Sequence, residues 1–250
     1  MKPLANKIAL VTGASRGIGK AIAMRLAQDG ALVMLHYFNS KELAGNTLDT
    51  VTREGGNAVL VHGDFSTSDG VKKLYEQTTL VLGGRPLDIL INNAGSPERI
   101  GSAEITEEQF DHLFEVNLKA PFFLTQKFLD NFSLGGRIIN ISSQAARSPH
   151  HNIGPYAMTK AALDSFTVSM ATLLGPRGIT VNSIRPGPTL TDENQARYED
   201  EKKRTEITNR TAMRGLGKSI DIAGMVSFLV SPDANWVTGQ IIEVSGGFSI

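Results

Sequence analysis

Short apolar runs without polar alternation recur along the chain, separated by stretches whose apolar residues fall at helical spacing. Ile8 to Val11 (IALV) is the first run, the pattern of a strand covered on both faces of a parallel sheet. Ile18, Ala21, Ile22 and Leu26 follow at helical spacing and predict a helix with an apolar face laid on that sheet. Ala31 to Tyr37 predicts the second strand, Ser40 to Glu54 a helix capped by Ser40, and Asn57 to His62 the third strand. This β-α-β-α-β alternation is one half of a doubly wound sheet with right-handed crossovers. Leu87 to Ile91, Gly136 to Ile141, Gly178 to Ile184 and Gln240 to Val244 supply four more strands. A helix begins at a capping box of Thr106 with Gln109, another near Pro155, and a last one runs from a Ser219 cap through Leu229. The prediction is one α/β domain over residues 1–250, with a seven-stranded parallel sheet between two helical layers.

Composition narrows the function classes. A chain of 250 residues can bury a full core as one domain. Its 25 basic and 25 acidic residues cancel, which leaves no electrostatic footprint for nucleic acid or an anionic membrane. There is no cysteine, so disulfides and thiolate metal sites are excluded, as suits a reducing compartment. The first residues, MKPLANK, carry no hydrophobic signal core, and no apolar run approaches the ~20 residues of a membrane span. The expectation is a cytoplasmic protein without nucleic-acid or membrane partners.

Candidate chemistry gathers at the ends of the strands. Between the first strand and the first helix stand Gly13, Ser15, Arg16, Gly17, Ile18 and Gly19, a glycine turn that opens a helix and so points unpaired N–H groups and a positive dipole end at a phosphate. The end of the second strand is where such folds select between nicotinamide cofactors, because a carboxylate there would repel a 2′-phosphate. The residues present are His36, Tyr37, Phe38, Asn39 and Ser40, with no carboxylate before Glu42, and Arg16 adds a cation; together they favour NADP(H). Asn117 falls on the buried side of the helix begun at Thr106, with Phe110, Leu113, Phe114, Leu118 and Phe122. Pro121 lacks the N–H that would bond the Asn117 carbonyl, which predicts a small kink and a carbonyl free to hold water. Tyr156 and Lys160 lie one helical turn apart, and an ammonium beside a phenol favours the ionised form. Pro186-Gly187 turns the backbone across the crevice at the carboxyl end of the sixth strand.

Thr12-Gly13-x-x-x-Gly17-x-Gly19, Asn92-Asn93-Ala94-Gly95, Asn117, Ser143 and Tyr156-x-x-x-Lys160, in that order, resemble the short-chain dehydrogenase/reductase family over about residues 4–247, closest to its 3-oxoacyl-carrier-protein reductase-like members. The resemblance implies a Rossmann-like fold and reversible hydride transfer between NADP(H) and a ketone or secondary alcohol. It selects Ser143, thirteen positions before Tyr156, over Ser142 as the partner of the reacting oxygen, and makes Tyr156 the proton donor. Lys160 would lower the Tyr156 pKa and bind the nicotinamide ribose, and Asn117 would hold a proton-supplying water. It places Asp64 and Phe65 at the adenine, with Tyr37 stacked beside it, and Asn39 and Ser40 with Arg16 at the 2′-phosphate. Asn93, Ala94 and Gly95 would lie by the ribose, and Pro186, Gly187, Thr189 and Thr191 by the nicotinamide. It further implies a lid over residues 192–214 and a homotetramer in which the helices bearing Asn117 and Tyr156 meet.

Several readings stay open at this point. The substrate is a carbonyl compound that could be thioester-linked, a sugar or polyol, or a ketone of a biosynthetic pathway, and a scaffold that only senses NADP(H) is the non-catalytic alternative. His150 and His151 read as loop residues at the site entrance, since no metal-ligand spacing surrounds them. Trp236 fits either the core or a subunit contact.

Overall fold

A computed structural model describes residues 2–250, with only the backbone of Arg197. The strands are β1 (Ile8–Val11), β2 (Leu32–Tyr37), β3 (Asn57–His62), β4 (Leu87–Asn92), β5 (Phe132–Ile141), β6 (Thr180–Pro186), a short β7 (Thr189–Leu190), β8 (Gly217–Lys218) and β9 (Ile241–Val244). Between them run α1 (Gly17–Gln28), α2 (Lys41–Arg53), α3 (Gly70–Leu82), α4 (Glu107–Phe114), α5 (Ala120–Lys127), α6 (Gly154–Leu174), α7 (Glu201–Asn209) and α8 (Ser219–Val230). Seven strands form one parallel sheet in the order β3-β2-β1-β4-β5-β6-β9, and β7 and β8 pair separately. This is the doubly wound arrangement expected, and the order reverses between β1 and β4, where such sheets open a crevice at their carboxyl ends.

Each face of the sheet has its own core. Ile22, Ala23, Leu26, Ile222, Ala223, Val226 and Leu229 from α1 and α8 cover Ala9, Val11, Ile89 and Ile91 on one side. Leu74, Leu82, Leu124 and Leu174 from α3, α5 and α6, with Phe128 just after α5, cover Ile8, Leu10, Leu90 and Ile138 on the other. Adjacent residues of β1 thus bury in opposite layers, which is why the run carries no polar alternation.

Several boundaries differ from the sequence reading, each for a local reason. Gly178 is left-handed, with φ 68°, so β6 starts only at Thr180 and instead runs on to Pro186. β5 begins earlier, because Phe132 pairs with Leu87 before an irregularity that contains Gly135 and Gly136. Ser219 is the first residue of α8 and not its cap: the Lys218 N–H is taken by the Asp221 carboxylate at 2.7 Å. Ser40 stands at the cap position of α2, but its hydroxyl donates to Asn39 Oδ1. Trp236 is 99% exposed, which excludes the core. The Thr106 capping box forms as expected, and α3, which the sequence reading left unassigned, buries Leu74, Thr78 and Leu82 on one face.

Candidate active site

The glycine turn is built by side chains from neighbouring strands. The Thr12 hydroxyl donates to the Ile91 carbonyl and accepts the Asn93 and Ala94 N–H groups, at 2.9 Å each. Asn93 Nδ2 returns to the carbonyls of Thr12 and Gly13. A Cβ at Gly19 would stand 2.0 Å from the Gly13 oxygen, so this close crossing tolerates only glycine. Asn92 points the other way, into the sheet, and donates to Asn140 Oδ1 and Thr125 Oγ1. The two adjacent asparagines therefore divide the work, one holding the sheet and one the turn.

His36, named in the sequence only as a non-acidic residue at the end of the second strand, supports the glycine turn in the structure. Its ring is buried, stacked on Phe65 at 4.7 Å, and bonded at both nitrogens. Nδ1 accepts the Gly13 N–H at 3.1 Å, and the Gly63 carbonyl lies 3.0 Å from Nε2, so the proton belongs on Nε2 and the ring is neutral. Burial lowers its pKa to about 4, more than the Gly63 bond raises it. The only sequence signal was a histidine in an otherwise apolar strand facing a glycine turn.

Asn117 sits in a π-helical turn, Glu115–Lys119, between α4 and α5, where the Ala120 N–H reaches back to the Glu115 carbonyl. This is the expected distortion ahead of Pro121. The Asn117 side chain accepts the Ser96 N–H at 2.7 Å and donates to the Ser96 carbonyl and Thr159 Oγ1. It thereby fixes the loop after β4 against α6. A Cβ at Gly95 would come 2.9 Å from Asn117 Oδ1 and 3.5 Å from Lys160 Nζ, so Gly95 lies wedged between two of the candidate residues.

Ser142 and Ser143 part company at the end of β5. Both line the cleft, but the Ser142 hydroxyl is buried and donates to the Lys160 carbonyl, whereas the Ser143 hydroxyl accepts the Ala145 N–H at 3.1 Å. Tyr156 is half-buried and lines the cleft near the Ser143 hydroxyl. Burial raises its pKa, and the Ser143 hydroxyl and the charge of Arg99 pull against that rise. The expected lowering by Lys160 is not among these influences, because the ammonium lies 5.9 Å from the ring centroid and donates to the Ile141 carbonyl at 2.9 Å. Lys160 is itself lowered to about 8 by burial, opposed by Asp164 one turn along α6. Asp164 in turn accepts from Ser183 Oγ at 2.6 Å and Arg185 Nε at 2.8 Å.

One cleft of about 1110 Å³ at the carboxyl ends of the strands is lined by Gly13, Ser15, Arg16, Ile18, Gly19, Tyr37, Asn39, Ser40, Asp64, Phe65, Asn93, Ala94, Gly95, Ser143, Tyr156, Lys160, Pro186, Gly187, Thr189 and Thr191. Of the candidate residues only Gly17 and Asn117 stand behind its wall. The Asp64 carboxylate accepts the Ser66 N–H and hydroxyl and so also shapes its own turn. Arg99, His112, His150, Ile153 and Phe248 extend the cleft past Tyr156. The 192–214 segment contains a 3₁₀ turn, Gln195–Tyr198, and α7, whose Lys203, Glu206 and Ile207 overhang the cleft. Among the described residues no group of three or more His, Cys, Asp or Glu is placed to hold a metal ion, and no helix is long and apolar enough to cross a membrane.

Known proteins share this arrangement along the whole chain. The family model described as enoyl-(acyl carrier protein) reductase matches residues 13–249. A hydroxynaphthalene reductase-like protein of Metarhizium majus is 38% identical over 260 aligned positions, covering 98% of this chain and 96% of its own. Two solved ketoreductases superpose closely. The promiscuous reductase LugOII, which catalyses keto-reduction at C1 during lugdunomycin biosynthesis, is 40% identical with a TM-score of 0.93, covering 99% of this chain and 100% of its own. The angucycline C-6 ketoreductase LanV, solved with bound NADP, is 39% identical with a TM-score of 0.93, covering 99% and 97%. On this evidence the chain belongs to the short-chain dehydrogenase/reductase family.

Proposed function

We propose that the protein is an NADPH-dependent reductase that converts a ketone of a biosynthetic intermediate, of the fused-ring kind its relatives are named for, into a secondary alcohol. The observation that carries this reading is that Ser143, Tyr156 and Lys160 line one cleft together, with the Ser143 hydroxyl close enough to Tyr156 to act on its titration. Two O–H donors side by side suit a carbonyl oxygen on which negative charge develops.

The residues present fit the cofactor. Gly17 has φ 57° and starts α1 facing Thr191 and Glu193, so backbone N–H groups are open to a diphosphate there. Arg16, Asn39 and Ser40 supply donors, with no carboxylate at the end of β2, which suits a 2′-phosphate. Bound NADPH supplies the hydride. Tyr156 gives its phenolic proton to the substrate oxygen, and burial keeps that proton in place at neutral pH until the oxygen becomes basic. Ser143 donates a hydrogen bond to the same oxygen. Lys160, charged below about pH 8, is placed for the ribose hydroxyls, and Ser143 and the charge of Arg99 ease the phenolate left behind. Asn117 holds the Gly95–Ser96 loop and presents its carbonyl for the water that reprotonates Tyr156. Ile153, Val116 and Phe248 give the far end of the cleft the apolar surface a fused-ring ketone needs.

The resemblance to 3-oxoacyl-carrier-protein reductases supports a second reading, a 3-oxoacyl chain held as a thioester on a carrier protein, and the matched family model is likewise named for a reaction on carrier-bound acyl chains. Fluorescence titration with NADPH and NADH, followed by turnover with fused-ring ketones and 3-oxoacyl thioesters, separates the two. Tight NADPH binding with turnover only of the thioesters would refute the fused-ring assignment. We also propose a cytosolic homotetramer. The apolar groove of Phe114, Leu118 and exposed Phe122, floored by buried Phe166, between α4, α5 and α6 is the face a second copy would cover, and a Phe122→Glu variant that stays the same size in solution would refute it.

A further inference from the structure

The cation proposed above for the 2′-phosphate has a partner within the chain. Arg16 Nη2 lies 2.6 Å from Glu193 Oε1, and the other Glu193 oxygen would stand 3.6 Å from a Cβ at Gly17. A carboxylate thus sits over the glycine turn at the start of α1, among the residues that line the cleft.

Glu193 is held there by a built turn. Asn194 donates its N–H to the Thr191 carbonyl at 3.1 Å, accepts the Thr191 N–H on Oδ1 at 2.8 Å, and donates from Nδ2 to the Thr189 carbonyl at 2.8 Å. The segment is anchored before this by the pairing of β7 with β8. Three hydrogen bonds from one asparagine therefore fix the backbone from Thr189 to Asn194 and aim Glu193 at Arg16.

We infer that Glu193 is a specificity-determining residue, a built-in competitor that opposes the cofactor's 2′-phosphate at Arg16 and so weakens the preference for NADPH over NADH. The inference rests on the assignment of Arg16 to the 2′-phosphate. A phosphate that takes the guanidinium must break the Arg16–Glu193 pair, and a phosphate that shares the guanidinium must sit beside a carboxylate. Both routes penalise NADPH and neither touches NADH, which carries no 2′-phosphate. Because both side chains are close to half exposed, the pair is a screened surface bridge, and its removal is worth roughly two- to fivefold in affinity.

The test is fluorescence titration of NADPH and NADH against the full-length protein and its Glu193→Gln, Arg16→Gln and doubly substituted forms. The expected result is about two- to fivefold tighter NADPH binding for Glu193→Gln, unchanged NADH affinity, and an effect that shrinks at high salt. In the Arg16→Gln background the gain from Glu193→Gln should fall, since the pair no longer exists. If Arg16→Gln weakens NADPH selectively while Glu193→Gln leaves the NADPH to NADH ratio unchanged or lowers it, the competitor role is refuted and the phosphate assignment stands. If Arg16→Gln leaves that ratio unchanged, the phosphate assignment fails and the competitor role fails with it.

Discussion

Replacing His36 with asparagine isolates the contribution of one buried ring to the pH dependence of stability. In the fold His36 is neutral, with a pKa lowered to about 4 by burial, while in the unfolded chain it titrates near the usual 6.5. Between those values the unfolded state binds more protons, so the stabilisation is complete above about pH 6.5 and is lost as the pH falls through the window to about 4. A shift of this size corresponds to about 3 kcal/mol between pH 7 and pH 4. For a domain of this length that is a lowering of the melting temperature by roughly 6–12 °C. Asparagine can still accept the Gly13 N–H, but it reaches neither the Gly63 carbonyl nor the Phe65 ring, so His36→Asn should cost about 2 kcal/mol at pH 7. Urea unfolding of both proteins at pH 7 and pH 4 gives a double difference in which all other titrating groups cancel. The parent should lose about 3 kcal/mol more than the variant on acidification. Equal losses in the two proteins would refute the buried neutral ring.

Thr12→Val keeps the shape of a buried residue but strips the acceptor from the Asn93 and Ala94 N–H groups; chemical denaturation should show a loss of about 2–4 kcal/mol, and a loss under 0.5 would contradict the bonding described. Gly95→Ala pushes a methyl toward Asn117 Oδ1 and Lys160 Nζ, so kcat in a steady-state assay should fall roughly 10- to 100-fold through misplacement of the loop, and an unchanged kcat would show that the wedge has slack. Asp164→Asn removes the charge that holds Lys160 up, so the alkaline limb of the kcat/KM profile should move to lower pH. The same change leaves Arg185 with only the Glu243 carboxylate at 3.7 Å, at about 2 kcal/mol of stability, and an unmoved limb would mean that Lys160 charge does not limit turnover.

The sheet could be read from the sequence because its strands bury both faces and so appear as unbroken apolar runs between turns. Their ends were less legible, since Gly178, Gly135 and Gly136 set the limits of β6 and β5 through backbone conformation and register, which periodicity does not report. Helix starts followed the cap residues only where the side chain bonded the helix N–H groups, as Thr106 does; Ser40 and Ser219 found other roles. The candidate site was mostly visible because its residues sit at fixed places after strands, and the structure carries nearly all of them to one cleft. What stayed hidden were the residues that act on those from elsewhere in the chain. Arg99 and Asp164 bear on Tyr156 and Lys160 through space, and His36 and Glu193 meet the glycine turn from β2 and from the segment after β7. Of these pairings only Lys160 with Asp164, one turn apart on α6, has a sequence spacing that could mark it.

Turnover of NADPH with a fused-ring ketone, compared between the protein and its Tyr156→Phe variant at saturating cofactor, tests the central claim most directly. The account predicts reduction to the secondary alcohol by the parent, and a fall in kcat of about 10²- to 10⁴-fold in the variant with NADPH affinity unchanged. A variant that binds NADPH and reduces the ketone as fast as the parent would contradict it.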